Sequence, residues 1–193
     1  MEKIRTFIAI KISPELMQHC AALIDELKTL PAAVKWVKPE TIHLTLKFLG
    51  NITRDQLEQV QQVVESVVRG EGAFELESAE LGAFPSLDRP RVFWVGLAGN
   101  GQQQLMALQK KLESALAQIG FPEEARPFKP HLTLGRVKSS RQLTQVIGKI
   151  KSTAFPNIAF PVKEVLIMRS ELRPDGARYS VLKSFPLQER ASQ

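Results

Sequence analysis

Two of the three histidines in the chain are followed by the same three residues, in His43-Leu44-Thr45-Leu46 and His131-Leu132-Thr133-Leu134. At ordinary residue frequencies a given histidine has that sequel with odds on the order of one in a thousand. On a strand, the imidazole and the hydroxyl two residues on share one face, and the leucines take the other. Two imidazoles with an ordinary pKa of about 6.5 can divide the work of a base and an acid near neutrality. In-line displacement at phosphorus needs that division, because the attacking oxygen loses a proton and the leaving oxygen gains one. The threonine hydroxyls can donate to the non-bridging oxygens where charge develops. A metal site on His43 and His131 is the competing reading. Neither tetrapeptide holds a third His, Asp or Glu, however, and a single cysteine leaves little for a closed zinc site. A lone strand histidine is more often a structural hydrogen-bonding residue, and a duplicated strand could repeat a tetrapeptide with no chemistry attached. Valine or isoleucine suits a sheet better than histidine, so the repeated His-x-Thr points to a site, with no metal and no cofactor.

Those groups meet only if the chain brings two strands to one cleft. Thr6 to Ile12 reads as a strand, and Ser13-Pro14-Glu15 opens a helix with a cap, a proline at the first helical position and an early carboxylate. Leu16, Cys20, Leu23, Ile24, Leu27 and Leu30 give that helix one apolar face, ended by Pro31. Val34 to Val37 is a short extended piece. Ile42 to Leu49 alternates as a strand up to a turn at Gly50-Asn51, and Thr53-Arg54-Asp55-Gln56 is a capping box for a second helix. Phe74 to Leu81 is the next strand. The order then repeats: strand Arg91 to Leu97, helix Gln102 to Ile119 with Gly120 beyond it, strand His131 to Val137, and a helix capped by Ser139-Ser140. Two last runs, Ile158 to Met168 and Arg178 to Pro186, read as a hairpin around Pro174-Asp175-Gly176. Each half is thus strand-helix-strand-helix-strand. The expected fold is α+β: one domain over residues 1–193, with two similar lobes from an internal duplication (approximately 1–88 and 89–193). Antiparallel sheets would line a central cleft, with helices outside. Which strand joins which lobe is open, because connections can cross.

At 193 residues and 44% hydrophobic content the chain can bury a substantial core, while average glycine and proline (11 and 12) exclude collagen-like and low-complexity classes. Cys20 has no partner for an internal disulfide, and the apolar run near the N-terminus is too short for a signal or membrane segment. A soluble, cytoplasmic protein without membrane association is expected. Charge is uneven. Residues 1–125 hold 13 Lys and Arg against 16 Asp and Glu, and residues 126–193 hold 13 against 4. Such a basic C-terminal third suits an anionic partner such as phosphate or RNA, although a solvated basic surface would look the same.

Arg5-x-Phe7-x-Ala9-Ile10, His43-Leu44-Thr45-Leu46-Lys47-Phe48-Leu49-Gly50, His131-Leu132-Thr133-Leu134-Gly135-Arg136 and the closing Tyr179-Ser180-Val181-Leu182 together resemble the two-histidine (2H) phosphoesterase superfamily. The branch they resemble is the bacterial and archaeal RNA 2′,3′-cyclic phosphodiesterases, also called 2′-5′ RNA ligases, and the resemblance runs through nearly the whole chain. It implies a two-lobed fold and hydrolysis of a terminal 2′,3′-cyclic phosphate to a 2′-phosphate. It also implies His43 as the acid that protonates O3′, His131 as the base that activates water, and Thr45 and Thr133 on the phosphate. The residues alone leave the acid and base interchangeable. The resemblance further implies Arg136 at the phosphate, yet strict alternation turns Arg136 away from His131 and Thr133. A bulge at Gly135 would resolve the conflict.

Other residues are less committed. Lys47 has the parity of the cleft but would also serve as a rim lysine. Phe7 or Trp36 could stack on a base or simply pack, Tyr179 is open to either, and Cys20 belongs to inert core. The expected partner is an RNA end bearing a 2′,3′-cyclic phosphate or a related nucleotide, with the chain a monomer needing no protein partner. Ligation of 2′-5′ joints is the same chemistry with a 5′-hydroxyl replacing water. The alternatives are a non-catalytic RNA-binding module and a phosphodiesterase for small cyclic nucleotides, ADP-ribose cyclic phosphate or 2′-5′ oligonucleotides.

Overall fold

Strand β1 (Ile4–Lys11) runs into α1 (Pro14–Lys28), whose start follows from local chemistry: the Ser13 hydroxyl accepts from the Leu16 N–H at 3.2 Å, and Pro14 opens the first turn. A short β2 (Val34–Trp36) and one 3-10 turn at Pro39–Thr41 precede β3 (His43–Ile52). The capping box forms as expected, with Thr53 and Gln56 exchanging bonds of 3.2 and 3.0 Å at the head of α2 (Arg54–Val68). Then come β4 (Phe74–Phe84), β5 (Val92–Ala98), α3 (Gln102–Ala117), β6 (His131–Val137), α4 (Thr144–Ser152), β7 (Ala159–Val162), β8 (Glu164–Arg173) and β9 (Gly176–Pro186). This computed structural model describes residues 3–174 and 176–189, so Asp175 of the expected turn lies outside the described residues.

Among the described residues the strands form one sheet in the order β7-β4-β5-β6-β3-β1-β8-β9, with β2 beside β6 and every strand pair antiparallel. The two expected sheets are therefore halves of one, joined at a single pair, Leu44 opposite Leu132. The connections cross. β4, the last strand of the first half of the chain, pairs with β5 of the second, and β8 of the second half pairs with β1 of the first. Apolar residues of all four helices join Ile8, Leu44, Phe93, Leu132 and other strand residues in one core on one face of the sheet. Cys20 lies in this core, where burial pushes its thiol up to about 12. The opposite face carries a second, smaller cluster of Phe7, Ala9, Leu166 and Met168 beside Tyr179.

Three local expectations need correction. Gly50 does not end β3. It sits inside the strand at φ +73° next to a register shift, so a residue suited to a turn serves a bulge, and pairing to β1 runs on to Ile52. The run Ile158 to Met168 is two strands, broken at Lys163, one on β4 and one between β1 and β9. Ser139 and Ser140 do not cap α4, which begins at Thr144 with no side-chain cap, while the Ser139 hydroxyl accepts from the Arg141 N–H at 3.3 Å.

Candidate active site

Leu44 and Leu132 are fully buried on the core face. Counting one residue either way from that pair sets His43 opposite Thr133 and Thr45 opposite His131 on the other face. All four are half-buried. The two histidines are then diagonal neighbours, a spacing of about 7–8 Å or somewhat less between Cβ atoms, which one phosphoryl group and its oxygens can bridge.

Each ring is held in the same way. His43 Nδ1 lies 2.6 Å from the Thr41 carbonyl and His131 Nδ1 lies 2.7 Å from the Lys129 carbonyl. A carbonyl only accepts, so Nδ1 carries the proton in both rings and Nε2 is the nitrogen that exchanges protons. Around His43, Phe7 stacks at 4.7 Å and Tyr179 approaches edge-on at 5.1 Å, while Phe84 packs edge-on against His131 at 4.8 Å. Burial lowers the pKa of both rings, and the hydrogen bond at Nδ1 opposes that shift in each.

Arg136 joins the site through backbone geometry. Phe93 pairs with Gly135 and Trp94 with Thr133, so Leu134 is the extra residue of a bulge in β6. The bulge restores Arg136 to the face of His131 and Thr133. Its charge lowers the pKa of His131, after burial, and opposes the burial that raises the pKa of Tyr179. Arg136 belongs to one half of the sheet and Tyr179 to the other, beside His43, so one guanidinium acts on both sides of the cleft. Gly135 is required at this point. A Cβ there would lie 2.6 Å from the Trp36 ring and 2.9 Å from Val34 Cγ1.

β3 contains the matching bulge, since Ile8 pairs with Lys47 and Ala9 with Thr45, leaving Leu46 extra. This overturns the cleft assignment of Lys47. Its side chain turns to the core face, 4% exposed, with Nζ 2.5 Å from Glu113 Oε2 and 2.8 Å from the Pro122 carbonyl. Phe48 takes the cleft position instead and is 59% exposed. Aligning the two motifs puts Lys47 at the place of Gly135 and Phe48 at that of Arg136, so one bulge implies the other. Phe7 packs against His43 and is too buried to hold a base, and Trp36 stacks on Phe93 toward the core. Trp94, opposite Thr133, adds an indole to the floor. A Cβ at Gly82 would lie 2.3 Å from its ring. Among the described residues no three His, Cys, Asp or Glu side chains gather as metal donors, and no helix is long and apolar enough to cross a membrane.

The sequence profile of the 2′-5′ RNA ligase superfamily matches residues 17–174. The chain belongs to that superfamily. A relative from Methanothermobacter thermautotrophicus, named RNA 2′,3′-cyclic phosphodiesterase, is 35% identical over 96% of this chain and all of its own length. One of the same name from Thermotoga maritima is 34% identical over 92% of both chains. The crystal structure of E. coli LigT complexed with 3′-AMP superposes with a TM-score of 0.76 at 25% identity, covering 96% of this chain and 99% of that one. The α+β superfamily fold and the two-histidine resemblance thus agree with the sequence reading.

Proposed function

We propose that the chain is a hydrolase of the RNA 2′,3′-cyclic phosphodiesterase type, acting on RNA that ends in a 2′,3′-cyclic phosphate. The observation that carries this reading is the pair of His-x-Thr faces on adjacent strands, each imidazole pinned at Nδ1 and His131 beside Arg136. Full-length relatives of that name and the 3′-AMP complex of LigT support it.

In the proposed reaction His131 Nε2 takes a proton from water as the water oxygen bonds to phosphorus. The P–O3′ bond breaks, and His43 Nε2 gives its proton to O3′, leaving a 2′-phosphate and a free 3′-hydroxyl. Thr45, Thr133 and Arg136 donate to the non-bridging oxygens, where negative charge grows. One observation supports this division of roles. Burial and the Arg136 charge, against the Lys129 hydrogen bond, lower the pKa of His131 and so favour the neutral imidazole a base needs. The exposed Phe48, with Phe7 and Tyr179 behind it, offers an apolar wall to the ribose and base. Replacing water by a 5′-hydroxyl in the same steps forms the P–O5′ bond as P–O3′ breaks, which is 2′-5′ ligation at the same groups.

Incubation with RNA ending in a 2′,3′-cyclic phosphate, with chelator present, tests the reading. A 2′-phosphate product is expected. Binding without turnover would indicate an RNA-binding module, and activity abolished by the chelator would overturn the metal-independent scheme.

A further inference from the structure

The wall beside His43 contains a polar atom that the proposed reaction leaves idle, the hydroxyl of Tyr179. We propose that Tyr179 is a further catalytic residue, whose hydroxyl donates to a non-bridging oxygen of the phosphate from the flank of the cleft opposite Arg136. This role rests on the phosphodiesterase reading of the histidine site and adds a donor to it.

Tyr179 pairs with Ser170 on β8, two residues from Val181 opposite Met168, and Met168 in turn pairs with Phe7 on β1. Alternation therefore puts its side chain on the face of Phe7, the catalytic one. Two strands, β8 and β1, separate β9 from β3, yet the Tyr179 ring meets His43 edge-on at 5.1 Å and Phe7 at 5.0 Å. The phenol thus lies inward over β8 and β1, and its hydroxyl, the atom farthest from the backbone, leads toward β3. Packing accounts for the ring but not for the hydroxyl, since phenylalanine would fill the same space with no polar group to desolvate. Among the described residues the hydroxyl has no hydrogen-bond partner. Burial raises the phenol pKa above its ordinary value of about 10, against the charges of Arg136 and Arg5, so near neutrality the oxygen keeps its proton and can donate. Arg136 acts on His131 as well. A phosphate bridging the two imidazoles therefore has a guanidinium on the β6 flank and a phenol on the β9 flank, and donors from both sides stabilise the charge that grows on its oxygens.

The test measures kcat and KM for the wild type and for Tyr179→Phe, which keeps the ring against His43 and Phe7. The substrates are an RNA end with a 2′,3′-cyclic phosphate and the separate Rp and Sp diastereomers of its cyclic phosphorothioate. On the phosphate, Tyr179→Phe should lower kcat by about ten- to a hundredfold, the effect of one hydrogen bond to a charged acceptor. KM should change little, because charge on that oxygen peaks in the transition state. Sulfur is a weak acceptor. The diastereomer with sulfur in the place that Tyr179 faces should therefore show almost no further loss in the variant, and the other diastereomer the full loss. That contrast is read between two substrates of one protein, so a disturbance of folding or of the His43 ring does not produce it. An unchanged kcat on the phosphate, or the same loss with both diastereomers, would overturn the role of the hydroxyl. Failure of the wild type to hydrolyse any of the three substrates would instead overturn the reading of the histidine site, and the role of Tyr179 with it.

Discussion

β3 and β6 begin with the same four residues and bulge at the same place, yet the next two residues part ways. On β3 the bulge turns Lys47 inward to a buried carboxylate and Phe48 outward to the cleft. On β6 the inward position is Gly135, its space filled by Trp36, and the outward one is Arg136. The backbone device is common to both strands and the chemistry is divided between them. The β3 side offers an apolar wall of Phe48, Phe7 and Tyr179, whereas the β6 side brings a guanidinium to the cleft. The difference at these two positions per strand gives the cleft its polarity.

The histidines provide the strongest way to break this comparison. His43→Ala and His131→Ala should each lower kcat by roughly two to four decades on an RNA 2′,3′-cyclic phosphate. A substrate whose leaving group needs no proton, such as a nitrophenyl phosphodiester, should recover most of the loss in His43→Ala and none in His131→Ala. The reverse pattern would exchange the acid and the base. Glu113→Ala should cost about 3–5 kcal/mol in chemical denaturation, because it leaves Lys47 buried without its partner. Lys47→Met combined with Glu113→Leu should recover most of that, and β6 has no equivalent liability.

How much of this was legible in the sequence depended on the range of the interaction. The Ser13 cap, the Thr53–Gln56 capping box and the two His-x-Thr faces are set within four residues, and all are found where local chemistry puts them. The bulge beside Gly135 was readable only through the family resemblance, which implies Arg136 at the phosphate against its parity. The burial of Lys47 was not, since its partner Glu113 is 66 residues away and local parity pointed the other way. The crossing of strands between the halves was hidden for the same reason: an alternating run declares a strand but not its neighbour. Local turn chemistry at Gly50 lost to a longer pairing with β1.

Smaller effects sharpen the contrast. Gly135→Ala should destabilise by about 1–3 kcal/mol through the clash with Trp36 and should lower kcat/KM by displacing Arg136. Thr45→Val and Thr133→Val should each reduce kcat by roughly ten- to a hundredfold, measured at saturating substrate. The pH dependence should show the smallest change. Burial disfavours both imidazolium ions, so the bell of kcat/KM against pH should lie on the acid side of the ordinary value of about 6.5. Arg136→Met removes a positive charge that lowers the pKa of His131. The acidic limb should therefore move to higher pH, and movement of the alkaline limb instead would assign His131 as the acid.

The central claim, that imidazoles from the two halves of the sheet flank one phosphorus, is tested most directly by a crystal structure with a nucleoside 2′,3′-vanadate ester. Both Nε2 atoms are predicted within hydrogen-bonding distance of oxygens on the same vanadium, with Thr45, Thr133 and Arg136 on the remaining oxygens. A vanadate reached by only one of the two rings would contradict it.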